Sequence, residues 1–166
     1  HHKTLDGRLR AFAKATEQAG RATPELAFSS GAGAAGGLGY ALLAYLKAEL
    51  HSGIDIMLDI AGFDAAIKDA DLVITGEGKS DEQTLMGKVP YGVLKRCRKA
   101  NIPVWLLSGM IDDATGRLAE SFDLVRSINE GDNRPLSVLM QPDVAKQNLK
   151  ERVSFLVANY HELSMN

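Results

Sequence analysis

Cysteine is nearly absent: Cys97 stands alone among 166 residues. A lone cysteine excludes an internal disulfide, so a reducing, cytoplasmic compartment is expected. Its neighbours Lys95, Arg96, Arg98 and Lys99 would lower its pKa and favour a reactive thiol. An inert core or surface cysteine is the commoner outcome and is expected here. A cationic surplus is missing too: 19 Lys and Arg face 21 Asp and Glu, a net charge of -2. That balance gives no footprint for a nucleic-acid partner or an acidic membrane surface. No apolar run is long enough to span a bilayer. His51 and His161 are far apart and lack ligand spacing, which excludes a zinc site. His1 and His2, with no methionine before them, read as a tag remnant and are set aside. There is no internal repeat and no low-complexity segment.

What is present is apolar and periodic. Hydrophobic residues make up 45% of the chain, enough for one core, or for one domain and part of another. Leu5, Leu9, Phe12 and Thr16 are spaced for one helix face, with Gly20 as a stop. Residues 21–30 read as a loop, with a short strand expected at residues 25–28. A second helix should carry Leu38, Leu42, Leu46 and Leu50 in line. Residues 54–70 fit either a strand at "IDIML" by alternation or a helix through Ile54, Met57, Leu58 and Ala61, and the helix is favoured because residues 61–70 continue in helical style. The pattern then alternates. Strands are expected at residues 71–75, 103–108 and 123–128, with helices after Pro90, around Arg117 and from Pro142. The last helix should present Ala145, Leu149, Val153, Leu156 and Tyr160 on one face. This alternation predicts an α/β fold, a parallel sheet with flanking helices. Three strands make a thin sheet for that class, so either residues 21–70 add cover or part of the sheet lies outside this chain.

Parallel sheets bind ligands beyond the carboxyl ends of their strands. Three glycine-containing acidic loops are expected there, at residues 75–83, 108–113 and 128–133. They would bring Glu77, Asp81, Asp112, Asp113, Glu130 and Asp132 to one rim. Carboxylates can bind magnesium or take a proton from a hydroxyl, whereas each acid taken singly reads as solvated loop. Gly78-Lys79-Ser80 matches the tail of a phosphate-binding P-loop, but the full pattern needs a glycine where Val73 stands. The stretch Gly31-Ala32-Gly33-Ala34-Ala35-Gly36 spells G-x-G-x-x-G. Three readings of it stay open: a dinucleotide turn with Asp59 as its acid, a closely packed helix start, and an anion site at helical N–H groups.

Two segments taken together resemble the bacterial glycerate kinase family: "GAGAAGGLGYALLAYLKAEL", and "ADLVITGEGKSDEQTLMGKVPYGV" at its expected distance. "IPVWLLSG" and "FDLVRSI" follow in the family's order. The likeness covers nearly all of residues 5–160, and Lys79 stands where the family usually has arginine. It implies two α/β domains, one flavodoxin-like and one inserted in it. Residues 3–53 would be the tail of the inserted domain and residues 54–166 the C-terminal part of the flavodoxin-like one. Family members are more than twice this long, so a missing N-terminal segment of the same protein is implied and the chain is expected to be an inactive fragment.

The resemblance further implies transfer of the ATP γ-phosphoryl group to a hydroxyl of D-glycerate, with ATP and Mg2+ as cofactors. Glu77 and Asp81 would hold magnesium or orient the hydroxyl, and Lys79 and Lys88 would offset phosphate charge. Gly31, Gly33, Gly36, Gly37, Gly76 and Gly78 would let main-chain N–H groups approach the glycerate carboxylate or a phosphate. An oligomer is compatible with this reading. Two alternatives stand beside it: a non-catalytic small-molecule-binding or interaction module, and a dinucleotide-dependent oxidoreductase resting on the Gly31–Gly36 motif.

Overall fold

The computed structural model describes residues 2–160, so the expectation about His161 lies outside them. The chain divides between Ser52 and Gly53 into two compact units.

The first unit contains α1 (His2–Gln18), a 3-10 turn (Pro24–Phe28) and α2 (Ala34–Leu46). Residues 25–28 are therefore helical and not the expected strand. Pro24 presets the first helical φ, and the Leu26 and Ser29 N–H groups close short turns onto the Thr23 and Leu26 carbonyls. Ala35, Gly36 and Gly37 hold left-handed backbone at the start of α2. They redirect the chain before the regular helix begins. A side chain on Gly37 would collide with Leu9, and one on Gly39 would sit 2.2 Å from the Gly31 carbonyl oxygen. These two glycines permit the close packing.

The expected leucine stripe does not form the buried face. Leu38 and Leu46 are 54% and 72% exposed, and Lys47 ends the helix in left-handed conformation, leaving Leu50 outside it. The buried side is Gly37, Tyr40 and Ala44, packed with Ala32 against Ala13, Leu26 and Ala27. The buried hydroxyl of Thr16 donates to the Phe12 carbonyl, and Phe12 meets Tyr40 edge-on.

The second unit is α/β. Helices α3 (Gly53–Ile60) and α4 (Phe63–Ala66) precede β1 (Val73–Ser80), α5 (Val89–Lys99), β2 (Val104–Ile111), α6 (Arg117–Ser121), β3 (Leu124–Ser127), α7 (Leu136–Leu139) and α8 (Pro142–Ala158). The strands form a parallel sheet in the order β1-β2-β3, with Thr75 beside Leu106 and Leu106 beside Val125. Alternation along β2 feeds both faces. Val104 and Leu106 enter a core with Leu58, Val93, Leu94, Cys97, Leu118 and Phe122, while Trp105 and Leu107 pack with Leu124 and Leu156. Leu149 of α8 is exposed instead of joining that second core, and the buried Asn148 takes the inward position. Arg96 of α5 ties α3 and α4 down by reaching Asp55, Asp59 and Asp64.

Two strands run further than expected. Residues 76–80 continue β1, and residues 109–111 continue β2, paired through Lys79 with Met110 and Ser80 with Ile111. Glycine and charge there look like a loop, but pairing to a neighbouring strand supplies the hydrogen bonds that local propensity does not.

Candidate active site

The extension of β1 sets the geometry at the carboxyl end of the sheet. Glu77 and Lys79 are strand residues, two apart and therefore on one face. Asp81 follows as the N-cap of a 3-10 turn, Glu82–Met86. Its Oδ1 accepts the Gln83 N–H at 3.0 Å, and its own N–H donates to Thr84 Oγ1 at 3.0 Å, closing a reciprocal cap. Gly87, with φ of 108°, then reverses the chain so that Lys88 turns back as the N-cap of α5.

These turns bring five charged side chains together. Lys79 Nζ donates to Asp112 Oδ2 at 3.0 Å and lies 3.7 Å from Asp81 Oδ2. Lys88 Nζ lies 3.5 Å from Asp81 Oδ1 and 3.8 Å from Glu77 Oε2. Asp81 thus stands between two ammonium groups. Partial desolvation pushes its pKa up, but the Gln83 N–H, Lys88 and Lys79 outweigh this and hold it below the usual carboxylate value. The hydrogen bond and charge of Asp112, with a smaller contribution from Asp81, raise the pKa of Lys79. The cluster comprises two lysines and three acidic residues. Asp81 and Asp112 border a surface hollow of about 310 Å³.

Glu77, Lys79, Asp81 and Lys88, all singled out in the sequence, are neighbours here. Asp112, one of the six rim acids, joins them. The other three are engaged elsewhere. Asp113 caps α6 by accepting the Leu118 and Ala119 N–H groups. Glu130 pairs with Arg152, and Asp132 is gripped by Arg134 and Asn148, which hold its carboxyl well below the usual range. Sequence reasoning met Ser80 only as the tail of a P-loop pattern and missed Thr84 and Ser108; all three are buried hydroxyls beneath Glu77. The Asp81-x-x-Thr84 capping pattern was the available signal for Thr84.

Gly76 and Gly78 are strand residues and not the expected loop glycines. A Cβ on Gly76 would lie 2.0 Å from the Leu107 carbonyl oxygen, whereas Gly78 has open space around its α-carbon. Gly78-Lys79-Ser80 lies within β1, so the P-loop arrangement is absent. Gly31, Gly33, Gly36 and Gly37 belong to the first unit. The segment before them is a 3-10 turn, and Asp59 lies in α3. The strand–turn–helix context of a dinucleotide fold is therefore missing. Gly33 and Gly37 border a mainly apolar pocket of about 300 Å³ with Leu9, Phe12, Phe28 and Tyr40. Among the described residues, no group of three or more His, Cys, Asp or Glu side chains could hold a metal. No described helix is long and apolar enough to cross a membrane. Cys97 is fully buried, and burial followed by the charge of Asp64 pushes its thiol pKa up, as fits an inert core residue.

Lysines and carboxylates are thus gathered at the carboxyl end of a parallel α/β sheet, the end at which such sheets bind their ligands. The chain belongs to the glycerate kinase family, whose model matches residues 1–160. It is 44% identical over 128 residues to the glycerate kinase of Bacillus subtilis (strain 168), covering 76% of this chain and 33% of that protein. It is 43% identical over 121 residues to the glycerate kinase of Bacillus cereus (strain ATCC 10987), covering 72% and 31%. Over 86 residues it is 49% identical to the glycerate 2-kinase of Escherichia coli (strain K12), covering 52% and 23%. The chain spans about a third of the length of the curated relatives it matches.

Proposed function

We propose that the protein carrying this chain is a glycerate kinase, transferring the γ-phosphoryl group of ATP to a hydroxyl of D-glycerate. The observation that carries this reading is the Lys79–Asp81–Lys88–Glu77 cluster at the strand ends, in a chain of that family. Phosphoryl transfer asks for positioning and charge neutralisation more than for covalent chemistry. Lys79 and Lys88 offset the charge of the phosphates. A carboxylate, Asp81 or Glu77, orients the attacking hydroxyl and accepts its proton as the new P–O bond forms and the bond to ADP breaks. Magnesium takes only one or two carboxylates alongside substrate phosphates and water, so Glu77 and Asp81 are a donor set of the right kind and number. When bound, it would neutralise charge developing on the phosphate oxygens.

On this reading residues 54–166 are the C-terminal part of a flavodoxin-like domain, and residues 3–53 are the tail of a domain inserted in it. An N-terminal segment of the same protein completes the site, and the protein works in the cytoplasm. Gly31, Gly33, Gly36 and Gly37 take an anion, the glycerate carboxylate or a phosphate, in preference to NAD. The test is ADP release coupled to D-glycerate. The full-length protein should turn over, and the 166-residue chain alone should show negligible activity. Full-length protein that releases no ADP in response to D-glycerate would sink the reading.

A further inference from the structure

Three hydroxyls lie beneath the charged cluster, and all are buried: Ser80 and Thr84 are 0% exposed and Ser108 is 1% exposed. Each hydroxyl has one proton to give. Thr84 Oγ1 accepts the Asp81 N–H at 3.0 Å and donates to Glu77 Oε1 at 2.6 Å. Ser80 Oγ donates to the same Glu77 oxygen at 3.1 Å. Its proton is then committed, so Ser108 Oγ, 2.5 Å away, is the donor to Ser80. The two chains converge: Ser108 to Ser80 to Glu77 from β2, and the Asp81 N–H to Thr84 to Glu77 from the cap. Backbone bonds hold both serines of the first chain. The Asp112 N–H donates to the Ser80 carbonyl, and the Ile128 N–H donates to the Ser108 carbonyl.

Two O–H donors use both lone pairs of Oε1. Glu77 Oε1 is therefore occupied, and Oε2, 3.8 Å from Lys88 Nζ, is the oxygen left for a ligand. We propose that Ser80, Thr84 and Ser108 are positioning residues that fix the orientation of the Glu77 carboxyl group so that a single oxygen, Oε2, is offered to the site. The inference deepens the glycerate kinase reading and rests on it for its kinetic readout only. A carboxyl group held in this way meets a cation or a substrate hydroxyl through one oxygen. It meets its ligand without first losing rotamer freedom.

The test uses the full-length protein and the pair Thr84→Val, which keeps the shape and loses the hydroxyl, and Thr84→Ser, which keeps the hydroxyl, with Ser108→Ala as a second site. Thr84→Val should lower kcat by about 10–100-fold, as losses of such outer hydrogen-bond partners do. The KM for D-glycerate should move less than about threefold, since the lost interaction orients and does not bind. Thr84→Ser should restore most of kcat. In crystal structures, wild-type Glu77 should show one conformer and Thr84→Val several. If Thr84→Val does not fold, Ser108→Ala takes the same two readouts. A folded Thr84→Val with unchanged kcat overturns the proposal. So does an unchanged single Glu77 conformer, or a Thr84→Ser variant as impaired as Thr84→Val. If wild-type protein gives no D-glycerate-dependent ADP release, the kinase reading fails, and the comparison of Glu77 conformers still decides the positioning.

Discussion

Replacing Gly76 with alanine should force the first two strands apart directly beneath the charged cluster. The added Cβ would sit 2.0 Å from the Leu107 carbonyl oxygen, where ordinary contact begins near 3.4 Å. The obstacle is backbone and cannot rotate away, so the strands must part by more than about 1 Å. Overpacking of this kind costs about 1–3 kcal/mol, and each ladder bond lost nearby adds about 1 kcal/mol. The expected destabilisation is about 2–4 kcal/mol, a fall of about 1–2 M in the urea midpoint at slopes typical of this size. Gly78 is the control. It lies two residues on in the same strand, and a Cβ there would have nothing within 4 Å, so Gly78→Ala should stay within about 0.5 kcal/mol of wild type. Trp105, the one tryptophan of the chain, is buried against Tyr160 in the sheet core and reports unfolding of this unit. Equal midpoints for the two variants would refute the close approach of β1 to β2.

Asp81→Asn in the full-length enzyme should lower turnover by about 10²–10⁴-fold while its melting temperature barely moves. Asp113→Asn should do the reverse, because that carboxylate holds the first turn of α6; thermal melts and ADP release on the same preparations check both. Ala35→Gly should stabilise the chain by up to about 1 kcal/mol, read by urea unfolding, since Ala35 holds φ of 49° and only glycine does so without steric cost. The folded-state pKa of Asp132 is depressed. Its stabilisation is therefore present above the unfolded value of about 3.9 and lost as pH falls from there through the folded value. Asp132→Asn should flatten the acid limb of the stability–pH curve, and an unchanged limb would show that Arg134 and Asn148 do not stabilise the charged form.

The helix and strand alternation from Val73 to Ala158 was legible because apolar spacing and the prolines at 90 and 142 report directly on local backbone. The ends of β1 and β2 were not. Residues 76–80 and 109–111 are strand because each pairs with the other, and pairing between distant segments leaves no local mark. The same holds for the acids. Glu77, Asp81, Asp112, Asp113, Glu130 and Asp132 look alike in sequence, and their partners decide which remain in the cluster. Asp113, Glu130 and Asp132 are spent on the α6 cap, Arg152 and Arg134. The leucines at 38, 42, 46 and 50 misled for a related reason. The left-handed turn at residues 35–37 and the stop at Lys47 reset which face of α2 is inward.

The central position of β2 also bears on motion. It is paired on both sides, and its side chains enter both cores. Its amides should be among the last of this unit to exchange with solvent, because strands with both edges and both faces covered open only in large unfolding events. Ser108 lies on that strand, whereas Lys79 lies on β1, which among the described residues is paired on one side, and Asp112 follows the end of β2. The floor of the cluster is thus its slowest-moving part and its charged rim the most adaptable. A ligand arriving here would find the base already in place, and the ordering entropy of binding would fall mainly on two lysine side chains.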